Sequence, residues 1–265
     1  MTFVLPLLCL LCYAVTAGIM TSRLFHQEGP KSRLTTALSG AALALHFVLL
    51  TQSLTAEPGQ NMSIINVISL VAWLVSLAMF SSSFYLPNAI LLPVVYGFSA
   101  LVVAGGVLIP DQYIVNIALH PELIIHISLA LFAYGCLMIA MLYAIQLNYI
   151  NGRLKQKKAS LLHSSLPPLM AVEHILFKLL LVGTLLLTLS LASGFVFLDD
   201  MFAQHQAHKT ILSLIAWVLY VAVLIGHAKW GWRGRSMLTT TFIGAFLLTL
   251  AYFGSRFVRE VLLNT

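Results

Sequence analysis

The chain has 265 residues, 60% of them hydrophobic and only 8% charged, with a formal net charge of +6. Its mean hydropathy of +0.96 excludes a soluble globular domain and reads as one integral membrane domain over residues 1–265. Cys9, Cys12 and Cys136 all lie in apolar runs and imply no disulfide framework.

A window of about 19 residues picks out eight apolar segments: 3–21, 36–54, 63–84, 88–108, 122–148, 173–198, 209–229 and 237–259. Each covers the ~30 Å hydrocarbon layer of a bilayer. Pro30, Pro58, Pro87, Pro110, Pro121, Pro167 and Pro168 fall in the connections, and Pro93 falls in the first turns of the fourth segment. The first segment lacks a basic start and is followed by Arg23, Lys31 and Arg33, a pattern that anchors a helix with its amino end outside. From there the inner connections collect Arg23, Lys31, Arg33, Arg153, Lys155, Lys157, Lys158, Lys229, Arg233 and Arg235, ten of the 14 basic residues. The sequence therefore predicts an all-α bundle of eight transmembrane helices with both termini outside. The positive charge sets topology and meets anionic lipid. No basic face with base-stacking groups is present, which excludes nucleic acid. The longest connection, 149–172, reads as a short surface helix followed by a Pro167–Pro168 stop.

Three histidines, His46, His126 and His227, lie inside these segments. An ionisable side chain in lipid is costly, so it normally faces the bundle interior and serves a function. At about 100° per residue, His46 shares a stripe with Ser39, Ala42 and Ser53. His126 shares one with Ala130, Ala133, Ala140 and Ala144, and His227 one with Ser213, Ala216, Tyr220 and Val223. Small residues mark helix–helix contact in membranes, so all three histidines are expected to face inward. His126 sits one turn inside the outer boundary. His46 and His227 differ in depth by roughly 10 Å at 1.5 Å per residue, a gap that helix tilt of about 20° partly closes. The reading is one inner two-histidine site, His46 with His227, and a separate outer position at His126. Its structural alternative is a histidine that only bonds a neighbouring hydroxyl or carbonyl.

Other signals are weaker. Cys9 and Cys12 have a CxxC spacing but lie in lipid without cationic neighbours, and read as packing. Glu173 and His174 read as capping and interfacial groups, and Asp199 and Asp200 as solvated groups outside. There is no Walker loop, HExxH motif or acidic membrane relay.

The stretch GHAKWGWRGR (226–235), followed by LAYFGSRFV, resembles the end of the cytochrome c assembly family, whose members include CcsA-, CcmC- and HemX-like proteins. LIIHISLALFAYG around His126 resembles that family's helix with a haem-ligand histidine. LALHFVLL and PGQNMSIINVISLVAW resemble its membrane-histidine segment and the following helix, placing His46, Asn66 and Trp73 there. KLLLVGTLLLTLSLASGFVF resembles the helix before its haem-binding loop. Within the family the chain looks most like the YpjD-type inner-membrane branch. The resemblance implies b-type haem held through His46 and His227, with His126 as an outer ligand or gate and no catalytic step. Two departures stand out. The outer loop LDDMFAQHQAHKT contains no tryptophan, and no histidine follows the last segment, so His205 or His208 is left as the substitute outer ligand. The expected function is haem binding linked to cytochrome c assembly, with lipid, haem and another membrane protein as partners. The alternative is a haem-free scaffold or regulator of tetrapyrrole synthesis that acts through a protein partner. Arg233, Arg235 and Lys229 read either as propionate partners or as topology signals.

Overall fold

The computed structural model describes residues 3–24, 29–30, 32–56, 59–86, 88–109, 114–115, 121–155, 167–197 and 207–254. They form eight α-helices and three very short strands. The helices are α1 (Val4–Ser22), α2 (Arg33–Leu54), α3 (Ile64–Ser82), α4 (Leu92–Leu108), α5 (Pro121–Lys155), α6 (Leu169–Phe197), α7 (Ala207–Trp230) and α8 (Arg235–Thr249), the last running into a π-helical turn, Leu250–Gly254. Seven helices are long and apolar enough to cross a membrane; α4, with 17 residues, falls just below that length. The chain is a polytopic helical membrane protein. It divides into two compact units, Met1–Asn116 with Arg153–Pro167, and Ile117–Gly152 with Pro168–Thr265.

In the first unit α1 packs on α2 and α4, and α3 packs on α2 and α4, so the four helices close a ring. Ser32 starts α2 through a capping box: Thr35 N–H donates to Ser32 Oγ (3.2 Å) and Ser32 N–H to Thr35 Oγ1 (2.8 Å). This pulls the helix start to Arg33, three residues before the apolar run. The fourth apolar run opens at residue 88, yet α4 begins at Leu92, because Asn88 is committed to ending α3. Its Nδ2 donates to the Met79 carbonyl (2.7 Å) and to Ser82 Oγ (2.9 Å). Three very short strands form a small antiparallel sheet beside this all-α bundle. β1 (Thr55–Ala56) pairs with β2 (Gly59–Asn61), which pairs with β3 (Ile114–Val115). This sheet joins the chain leaving α2 to the chain leaving α4. The end of α4 therefore lies on the same side as the start of α3, and the two helices run antiparallel.

The second unit is also a ring of four. α7 packs on α6 and α8. α5 meets α6 where a Cβ on Gly183 would lie 2.7 Å from Leu137 Cγ. α5 meets α8 through Tyr134 Oη and Thr249 Oγ1, 3.1 Å apart. Three prolines behave differently from the sequence expectation. Pro121 is the first residue of α5 rather than part of a connection, a position where its missing N–H costs nothing. Pro167–Pro168 precedes α6 instead of ending a helix: Ala171 and Val172 N–H both donate to the Pro168 carbonyl (3.0 and 3.2 Å). The surface helix expected within 149–172 is in part an extension of α5 to Lys155, and residues 156–166 lie outside those described.

Candidate functional site

The three membrane histidines occupy three distinct settings. His46 lies mid-way along α2 in the first unit and is fully buried, on a stripe with Ser39, Ala42 and Leu50. Both of its ring nitrogens are occupied. Tyr13 Oη of α1 lies 3.1 Å from Nδ1, and Ser69 Oγ of α3 lies 2.9 Å from Nε2. In a neutral imidazole one nitrogen donates and the other accepts, and a hydroxyl can do either, so both contacts are satisfied in either tautomer. The Tyr13 ring meets the imidazole edge-on, with centroids 5.6 Å apart at 86°, and sits 5.8 Å from Tyr96 of α4. Nearby, Ser76 of α3 and Ser99 of α4 bond through their hydroxyls at 2.8 Å. The two residues that the resemblance groups with His46 are structural. Trp73 Nε1–H donates to the Leu43 carbonyl (3.0 Å), and Asn66 Nδ2 to the Asn61 carbonyl (3.1 Å).

His126 is the sixth residue of α5, in the second unit. Its Nδ1 lies 3.1 Å from the Ser190 carbonyl and 3.0 Å from Ser193 Oγ, both on α6. The Ser190 carbonyl only accepts, and the Ser193 hydroxyl itself donates to that carbonyl (2.8 Å), so a proton on Nδ1 satisfies both contacts and leaves Nε2 its lone pair. Metal-bound histidines usually have this arrangement, one ring N–H fixed on a carbonyl and the other nitrogen left for the metal.

His227, in the last turn of α7, repeats the pattern by another route. Its Nδ1 lies 3.1 Å from the backbone carbonyl of Trp232, so Nε2 again keeps its lone pair. Phe177 of α6 stacks on the ring, with centroids 3.3 Å apart and planes 17° from parallel. Glu173, one turn earlier on α6, is not a helix cap: α6 begins at Leu169, and Glu173 Oε1 lies 3.2 Å from Arg233 Nε. Arg233 thus has a carboxylate partner of its own. The side chain of Arg235 lies outside the described residues, and Lys229 is exposed.

Two of the three histidines therefore present a coordination-competent nitrogen, and His46 presents none in this arrangement. The structure does not bring His126 and His227 together. Their α6 partners, Ser190 and Phe177, are 13 residues apart in sequence, about 20 Å of helix at 1.5 Å per residue. Of the two substitute ligands, His205 lies outside the described residues, and His208 is exposed in the first turn of α7. Among the described residues no group of three metal-ligating side chains gathers. Sequence reasoning did not find Tyr13, Ser69, Phe177 or the Trp232 carbonyl. Only Trp232 carried a signal, through the two glycines around it.

The described residues define a polytopic helical membrane bundle whose apolar helices carry three imidazoles packed against neighbouring helices or turns. Residues 7–263 match the family described as cytochrome C assembly protein. The inner membrane protein YpjD of Escherichia coli (strain K12) is 36% identical over 261 residues, 98% of this chain and 99% of that one. An uncharacterized 28.8 kDa protein of Azospirillum brasilense is 33% identical over 142 residues, 53% of this chain and 52% of its own. The cytochrome c biogenesis protein CcsA of Prochlorococcus marinus (strain AS9601) is 27% identical over 157 residues, 51% of each chain. No solved structure matches. The chain belongs to the cytochrome c assembly family and is a multi-pass inner-membrane protein.

Proposed function

We propose that the chain binds b-type haem within cytochrome c assembly, with iron held through His46 and His227 and with His126 as an outer ligand or gate. The observation that carries this reading is the pair of carbonyl-fixed imidazoles, His126 on Ser190 and His227 on Trp232, each leaving Nε2 for iron. Haem bound this way supplies a redox-active, low-spin iron when two imidazoles coordinate it. Service by His46 requires one of its hydroxyl partners to release a nitrogen, and Ser69 on Nε2 is the smaller and simpler one to displace. We place eight crossings and both termini outside. This topology is supported by the basic residues of the inner connections and by the sheet that returns α4 to the side where α3 starts. No catalytic step is assigned. Lipid, haem and another membrane protein are the proposed partners.

The closed hydrogen bonding of His46 favours a second reading, in which this residue only holds the first unit together and the protein is a scaffold acting through a partner. A reduced-minus-oxidised spectrum of the full chain in mild detergent, before and after adding haemin, separates the two. Soret and α bands that weaken in His227→Ala and in His46→Ala support the haem site as proposed. Bands lost in His227→Ala but retained in His46→Ala move the second ligand elsewhere. A chain that takes up no haemin is the scaffold.

A further inference from the structure

The end of α7 folds back around His227 more tightly than ending a helix requires. Gly231 sits at φ +63°, a left-handed conformation that favours glycine, and its N–H donates to the His227 carbonyl (3.1 Å). That alone would cap the helix. In addition, Trp232 N–H reaches back to the Gly226 carbonyl (3.1 Å), and its indole lies on Gly226 where any Cβ would overlap it. With the main chain pinned at both ends, the Trp232 carbonyl is aimed at Nδ1 of His227. One face of α6 braces the whole turn. Phe177 lies flat on the imidazole, and Glu173, four residues earlier, holds Arg233, the residue after Trp232.

We propose that the segment Gly226–Arg233 is a tautomer selector. It fixes the proton of His227 on Nδ1 and so presents Nε2 as the metal-binding atom. Gly226, Gly231 and Trp232 are its positioning residues, Phe177 sets the plane of the ring, and Glu173 tethers the turn. A carbonyl has no proton to give, so the selection follows from geometry alone. The metal half of this inference rests on the haem reading above, and the tautomer half does not. A side chain that merely capped a helix end would need neither a glycine cleared for the indole nor a ring stacked on its face.

The test is nitrogen-15 NMR of the full chain in detergent, with labelled histidine and His227→Gln to assign the signal, followed by titration of the same samples with haemin. Wild type is expected to show His227 as the Nδ1–H form. Gly226→Ala and the milder Trp232→Leu are expected to shift it toward the Nε2–H form and to weaken haemin binding roughly tenfold, the usual scale for loss of an outer-shell partner. Thermal melts identify any variant that fails to fold, and Trp232→Leu adds no overlap and keeps the test open. An Nε2–H signal in wild type overturns the proposal, as does an Nδ1–H signal that both folded variants retain. A selected tautomer in a wild-type chain that takes up no haemin supports the selector and removes the haem reading instead.

Discussion

His46 and His227 are the same residue type on similar apolar helices, yet the two units treat them in opposite ways. The first unit surrounds His46 with hydroxyls from two other helices, Tyr13 and Ser69, and leaves it 0% exposed. The second unit gives His227 one backbone carbonyl and one aromatic face, at the end of a helix. A histidine satisfied on both sides must release one partner before it can bind iron. A histidine satisfied on one side has a nitrogen left for chemistry. Inward orientation, which the sequence predicts for both, does not separate these two settings; the number of occupied ring nitrogens does.

The comparison can be broken most directly by alanine at each position. His46→Ala removes a fully buried ring and strands two hydroxyls, so we expect a loss of about 3 kcal/mol in unfolding free energy. His227→Ala should cost under about 1 kcal/mol, because its ring sits at a helix end. Unfolding of the two variants in the same detergent checks this, and equal losses would erase the distinction between the units. Tyr13→Phe sharpens the contrast by keeping the ring and deleting one hydroxyl. It should cost about 1 kcal/mol or less, the scale of a hydrogen bond within a membrane bundle. The smallest effect is expected for Arg233→Gln. Its side chain is 63% exposed beside a Glu173 side chain that is 14% exposed, and a pair with one partner so open to solvent contributes only ~0.5 kcal/mol. If melting temperature instead falls by several degrees, the tether is a larger part of the α7 end than its exposure implies.

The eight helices are legible because apolar runs of this length have no other stable state in lipid. Their ends are less so, since caps act locally and against hydropathy: Ser32 extends α2 backwards, while Asn88 withholds four residues from α4. The Pro167–Pro168 pair is ambiguous in sequence because proline is equally at home just before a helix and just after one. Strands of two and three residues carry no periodicity to detect. The inward stripe of His46 was readable from Ser39 and Ala42, but its partners come from α1 and α3, and no spacing rule within α2 points to them. The His227 turn lies between these cases. The glycines of GHAKWGW were visible, but the capture of a ring nitrogen by a carbonyl five residues on depends on a positive φ that composition does not reveal.

The π-helical turn at Leu250–Gly254 has a consequence for how this chain tolerates changes of length. A π turn holds one residue more than an α turn would between the same bonded ends. Here that surplus lets two successive side chains reach one helix: Tyr252 donates to the Ala130 carbonyl at 3.1 Å and lies tilted by 34° with its ring 5.1 Å from Tyr134, while Phe253 meets the same Tyr134 edge-on at 5.6 Å. Deleting a single residue between 250 and 254 would restore regular α winding and swing one of the two rings off α5. At this irregular turn, shortening the chain and regularising the helix would therefore loosen the bundle.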